Sequence, residues 1–322
     1  MKLRSTTRNR SPLAATVAIA ALALMMAPAH AQQGPSSPAA PVVPAAPATP
    51  AAPATPAAPA AAPAAPADSG PAMVPAAPVA PKFRELPFEG EKPTAQEIFV
   101  RHLEATGGAA AWEAKTSMVS TGSIEIPSVQ MKGTLKMSAM APDLVRVESE
   151  LPGMGTTAQG FNGTVGWSID AIRGPAIMPP KQLAQLKRDG NFRKDLSLAQ
   201  DPGRSQVIGL FDFEGTPCWQ VTVEGVGGQP ARHFYARDTG LMRGMSMSAA
   251  SPMGELPIVL VMDDYRNFDD VQVAARSTTK VMGQTQVMSF DAVTWNGASA
   301  ADFELPEKIK ALVSAASAPT TP

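Results

Sequence analysis

The chain has 322 residues, with 27 Lys and Arg against 28 Asp and Glu and a single Cys. No cationic excess exists to neutralise phosphates, which excludes a basic nucleic-acid binder. One Cys excludes an internal disulfide framework and any Cys-rich zinc module.

Residues 1–31 read as a signal peptide. Lys2, Arg4, Arg8 and Arg10 form a basic start, residues 13–27 are apolar, and Ala29-His30-Ala31 places small residues where a signal peptidase cuts, after Ala31. The apolar run is short for a transmembrane helix, which needs about 20 residues. Every acidic residue lies beyond position 67, so removing four of the 27 cations leaves a net charge of −5. The expectation is an exported, mildly acidic protein of the periplasm. An uncleaved inner-membrane anchor facing the periplasm is the alternative.

Residues 32–92 read as a disordered linker. Between Pro35 and Pro81 lie 15 of the 33 prolines, separated mostly by alanine. Proline fixes φ and favours polyproline II, while alanine offers too little apolar surface for a core. At about 3.1 Å per residue this arm reaches on the order of 145 Å. Such a spacer suits a tether, which is what favours the anchor alternative.

The folded domain is expected over 93–306. Thr94-Ala95-Gln96-Glu97 is a capping box, opening a helix with Ile98, Phe99, His102 and Leu103 on one side and Gly107-Gly108 at its end. Strand patterning follows. Met131, Gly133, Leu135, Met137 and Ala139 alternate with polar neighbours, as do Val145, Val147 and Leu151. Asn162-Gly163, between Phe161 and Val165, marks a hairpin. A helix is predicted over 181–189 after Pro179-Pro180, closed by Gly190, with a turn over 192–198. Strands resume at 205–213, 219–223, 232–236, 241–249, 258–265, 271–282 and 286–295. Their turns carry Gly or acidic pairs, among them Gly227-Gly228, Asp238-Thr239-Gly240 and Asp269-Asp270. The tail, 307–322, is expected to be disordered.

No βαβ rhythm is present, so doubly wound folds are excluded. The fold class is α+β, mainly β: an open, incomplete antiparallel β-barrel of about eleven strands with helices in its mouth. A one-sided sheet of that length must curl to bury its apolar face.

The chain resembles the LolA-like outer-membrane lipoprotein-sorting superfamily, in an uncharacterised branch. The likeness rests on Glu104-Ala105-Thr106-Gly107-Gly108, on Gly160-Phe161-Asn162-Gly163 with Trp167-Ser168-Ile169-Asp170, on Ser251-Pro252-Met253-Gly254-Glu255-Leu256-Pro257, and on Asp264-Tyr265-Arg266. These are turn and packing residues spread over the whole folded part. The resemblance implies an open barrel that shields acyl chains in transit. The function it implies is a periplasmic carrier or binding protein for an apolar or amphipathic ligand, a lipid or a lipoprotein acyl chain. An envelope protein as loading partner and transient membrane contact fit the same picture. The alternative is a ligand-free envelope interaction or scaffold module tethered by the Pro/Ala arm.

From Lys82 onward the chain holds 13 of its 17 Met, flexible and polarisable side chains that suit an adaptable apolar surface. The candidate cavity residues are Met131, Leu135, Met137, Val145, Val147, Trp167, Ile169, Val221 and Phe234; the bland reading is that they fill a closed core. No enzyme, cofactor or metal is expected. Met242, Met245, Met247 and Met253 could ligate copper, but Met245 and Met247 are two apart on a strand, as core residues are. Asp238-Thr239-Gly240 spells an aspartic-protease tripeptide but sits in a hairpin turn. Gly153-Met154-Gly155 imitates a dinucleotide loop, yet no helix follows it. Cys218 as nucleophile would need a base, and His102 reads as a satisfied core histidine on an apolar helix face. With His233 the only other imidazole beyond the signal segment, a three-histidine zinc site cannot form.

Overall fold

A computed structural model describes residues 81–224, 230–251 and 254–317. The signal segment with its cut after Ala31, the Pro/Ala arm up to residue 80, Gly227-Gly228 and Pro252-Met253 lie outside the described residues.

The described residues form a single antiparallel sheet of 14 strands with five α-helices. In chain order the elements are β1 (Arg84–Leu86), α1 (Ala95–Ala105), α2 (Gly108–Glu113), β2 (Ser117–Ile126), β3 (Met131–Met140), β4 (Leu144–Leu151), β5 (Gly155–Phe161), β6 (Gly166–Asp170) and β7 (Gly174–Ile177). There follow α3 (Pro180–Gly190), α4 (Lys194–Gln200), β8 (Gln206–Phe213), β9 (Thr216–Glu224), β10 (Pro230–Ala236), β11 (Met242–Ser251), β12 (Gly254–Phe268), β13 (Val271–Val281), β14 (Gln284–Trp295) and α5 (Glu307–Ser317). The strand order is β1-β8-β9-β10-β11-β12-β13-β14-β2-β3-β4-β5-β6-β7, so the sheet is open, with β1 and β7 as its edges. None of the described helices is long and apolar enough to cross a membrane.

Fourteen strands stand where about eleven were expected. The three-residue β1 follows the Pro-rich arm, β7 reads Gly-Pro-Ala-Ile, and the inner side of β2 carries Ser120 and Gly122 among its apolar residues. None of the three shows a clean two-residue alternation of apolar and polar side chains. The predicted turn over 192–198 is the helix α4.

One face of the sheet and the inner sides of α1–α4 share a single apolar cluster. It draws on Ile98, Phe99, Leu103 and Trp112 from α1–α2, Leu186, Phe192 and Leu198 from the α3–α4 region, and strand residues from β2 to β14. Two smaller clusters lie apart from it. Phe213, Cys218, Phe234, Ala236 and Val261 pack under Phe83, whose ring sits 4.6 Å from Phe234 and 5.4 Å from Phe213. Ala158, Trp167 and Ile309 form the other, with Ile169, Leu305 and Val313 against them.

The second of these clusters corrects the reading of the tail. Residues 307–317 form α5, and Ile309 is fully buried beside Trp167. At the opposite end of the chain, residues 84–86 of the expected linker pair with β8 as β1, with Arg84↔Asp212 and Leu86↔Leu210.

Candidate functional site

The candidate site is the interface between the helical layer and the sheet. Helix α1 starts as the capping box predicts: Glu97 N donates to Thr94 Oγ1 at 3.2 Å, and Thr94 N donates to Glu97 Oε2 at 2.7 Å. Its last turn is locked to the sheet. Gln272 N donates to Thr106 O at 3.1 Å, and Trp112 Nε1 donates to Thr106 Oγ1 at 3.2 Å. Gly107 has φ 121°, and a side chain there would run into the Asp270 carbonyl, so the Gly-Gly stop is a docking requirement as well as a turn.

Each remaining helix has its own anchor. Trp112 of α2 meets Trp295 of β14 edge-on at 5.6 Å, and Phe192 lies 6.1 Å from the same ring. Helix α3 ends at Gly190, which sits directly on Val145 of β4. Helix α4 is tied to α1 through Gln96 Nε2, which donates to Ala199 O.

Beneath this layer lies a set of buried polar groups. His102 Nδ1 is 3.1 Å from Gly240 O and Nε2 is 3.6 Å from Asp195 Oδ2, so both ring nitrogens are engaged. The reading of His102 as a satisfied core histidine holds. His233 is buried beside Tyr235, 3.3 Å from its hydroxyl, and burial above all pulls its pKa down to about 3, leaving it neutral. Burial pushes Asp189 up to about 6, against the hydrogen bond that Gln185 Nε2 donates to it at 2.6 Å. Burial likewise draws Lys194 down to about 8, against the pull of Asp195 and Asp189.

The chemistry these groups can perform is limited. A carboxylate that acts as acid or base beside a second one needs the pair to share a cavity, and Asp195 is instead turned to His102. His102 turns Nδ1 to the Gly240 carbonyl and Nε2 toward the Asp195 carboxylate rather than to a thiol or hydroxyl. Cys218 lies in the Phe213–Phe234 cluster, away from this interface, and burial pushes its thiol up to about 12. Met242 and Met245 belong to the apolar core, and Met247 packs against it. Asp238-Thr239-Gly240 is the β10–β11 turn, with Asp238 Oδ1 accepting from Thr239 N. Among the described residues no group of three His, Cys, Asp or Glu is placed to hold a metal ion.

Two cavities lie at the interface. A half-open cleft of about 240 Å³ between α1 and β9–β10 is lined by Glu97, Ile98, Arg101, Trp219 and Tyr235. A smaller one of about 40 Å³, under α1, α2 and α4, is lined by His102, Trp112, Asp195, Tyr265, Ser277 and Trp295.

Of the nine candidate cavity residues, Leu135, Met137, Val145, Val147 and Val221 are buried in the large cluster facing the helices, and Met131 packs against it. Trp167, Ile169 and Phe234 do not join them. Trp167 and Ile169 lie under α5, and Phe234 lies under Phe83. In β10 the residues flanking Phe234, His233 and Tyr235, take the helix side instead, as alternation demands. Asp189, Lys194 and Asp195 were missed altogether; their only sequence signal was acidic and basic residues in a segment read as a helix and a turn.

No family model matches the chain, and no curated protein matches it. The domain is similar in fold to a LolA superfamily protein from Nitrosomonas europaea, at 12% identity and a TM-score of 0.47, over 66% of this chain and 99% of that one. It is also similar to a DUF1329 family protein from Desulfovibrio piger, at 12% identity and a TM-score of 0.47, over 65% of this chain and 95% of that one. These likenesses concern the course of the chain alone.

Proposed function

We propose that the domain is a carrier or binding protein of the periplasm for an apolar or amphipathic ligand, a lipid or an acyl chain. In this reading the sheet curls into an incomplete barrel, its apolar face is the ligand wall, and helices α1–α4 are the lid. The wall takes Met131, Leu135, Met137, Val145, Val147 and Val221, and leaves out Trp167, Ile169 and Phe234.

The observation that carries the reading is the make-up of the interface. Met118, Met137, Met242, Met245, Met262 and Met288 all lie in the cluster shared by sheet and helices. Flexible thioethers repack around chains of different shape at small cost. Each buried CH₂ is worth about 0.8 kcal/mol, so an acyl chain in place of the helices' inner sides gains ample gross affinity. Transfer needs no covalent chemistry, in keeping with the engaged His102 and the inert Cys218 thiol. Lipoprotein acyl chains, an envelope protein that loads the carrier and brief contact with a membrane belong to the same proposal.

A second reading has an observation in its favour. The cavities of about 240 and 40 Å³ are smaller than the roughly 300–1,000 Å³ of ordinary ligand sites. A ligand-free interaction module would have such a filled interior. The two readings part on uptake. Titrating the full chain with methyl oleate while following tryptophan fluorescence should give a saturable change, because Trp112 and Trp295 meet under the lid. No change, with no methyl oleate retained on gel filtration, would favour the scaffold.

A further inference from the structure

Three polar side chains on the helix-facing side of β13 and β14 each carry a buried atom with no hydrogen-bond partner among the described residues. Ser277, Thr279 and Gln286 are 3%, 0% and 6% exposed. Ser277 Oγ, Thr279 Oγ1 and Gln286 Nε2 have no hydrogen-bond partner among the described residues. The register sets them side by side: Thr279 pairs with Gln286, and Ser277, two residues along, pairs with Met288. On the other flank Thr279 pairs with Leu260, and Ser277 with Met262. Leu260, Met262 and Met288 belong to the large apolar cluster, so the three polar groups form an island in an apolar, Met-rich wall.

A buried donor without a partner carries its full desolvation cost, and native interiors seldom leave three together. Strand propensity does not require them, since Val or Ile would serve at each position. The island therefore suits a polar atom brought in from outside. Its chemistry narrows what that atom is. All three side chains can donate, and none is cationic. The adjoining small cavity, which Ser277 lines, has no Lys or Arg in its wall and holds the Asp195 carboxylate. An anionic headgroup would be buried without a counter-charge there, whereas a neutral carbonyl oxygen would be satisfied.

We propose that Ser277, Thr279 and Gln286 are a polar subsite for the carbonyl oxygen of a neutral acyl ester or amide, with Leu260, Met262 and Met288 against its chain. This rests on the carrier reading and deepens it: the ligand enters with its acyl linkage inward, and a free fatty-acid carboxylate is disfavoured at this spot.

The test uses the full chain with methyl laurate and tridecane, matched in carbon number, each displacing a pyrene-labelled alkane. Parent protein should bind methyl laurate about ten-fold more tightly than tridecane, the worth of one or two hydrogen bonds. Thr279→Val and Gln286→Leu should each erode that preference and leave tridecane unchanged, while the ligand-free proteins melt no lower than the parent. Ser277→Ala, the smallest change, keeps the test open should Gln286→Leu fold poorly. The ester carbonyl stretch of bound methyl laurate should shift to lower frequency in the parent and less in Thr279→Val. Equal affinity of the parent for both probes would overturn the subsite and leave the carrier standing. Displacement by neither probe would overturn both.

Discussion

Gly190 is where helix α3 closes on the sheet, and adding one methyl group there tests that closure. A Cβ built at Gly190 would lie 2.5, 2.8 and 3.1 Å from Cγ2, Cβ and Cγ1 of Val145. Carbon atoms in ordinary contact stay about 3.5–4.0 Å apart, so the helix end must retreat by about 1 Å. Val145 cannot yield. It is β-branched, 1% exposed, and held between Ala139 and Phe161 in the ladder. Overpacking of this kind costs about 1–3 kcal/mol. Alanine's better helix propensity offsets at most about 1 kcal/mol of it. For a domain above 200 residues that translates to a fall in Tm of roughly 2–4 °C per kcal/mol. Gly190→Ala should therefore melt several degrees below the parent by circular dichroism and take up a pyrene-labelled alkane faster. Adding Val145→Ala removes two of the three clashing atoms and should restore part of the Tm. A Tm equal to or above the parent's, with unchanged uptake, would refute the idea that α3 seals the sheet through Gly190.

Asp189→Asn should stabilise the protein in a pH-dependent way. Asp189 titrates near 6 in the fold, above its ordinary 3.8, so its contribution is fully present below about pH 4 and is lost as pH rises through 6. The variant should match the parent at pH 4 and exceed it by up to about 3 kcal/mol at pH 7.5. A melting difference that does not grow between those pH values would contradict the burial argument. Ile309→Ala should cost about 2–4 kcal/mol, as a fully buried residue does, and should red-shift tryptophan emission as α5 leaves Trp167. Unchanged emission would mean that α5 does not cover that face.

Much of this frame was legible in the chain because it is local. The Thr94–Glu97 box, the Asn162-Gly163 hairpin and the alternation of Leu135 and Met137 each depend on neighbours a few residues apart. Long-range partners were not legible. Alternation tells that Phe234 and Tyr235 face opposite ways but not which way is inside, and Trp167 and Phe234 owe their cover to segments read as disordered. Phe83 and Ile309 supply that cover from the ends of low-complexity stretches, where composition hid them. The contact of His102 with Asp195 joins residues from two helices far apart in sequence, and no pattern in either segment announces it. The polar island failed to register for a different reason. Thr and Ser fit a strand pattern on either face, so their burial at 277 and 279 shows only once the helices and neighbouring strands are in place.

The most direct measurement of the central claim is native mass spectrometry of the full chain, produced in an exporting host and never exposed to detergent. The account predicts adducts of lipid mass that disappear after extraction with organic solvent, with the extract identifying the acyl class. A bare protein that also fails to acquire added methyl laurate would contradict it.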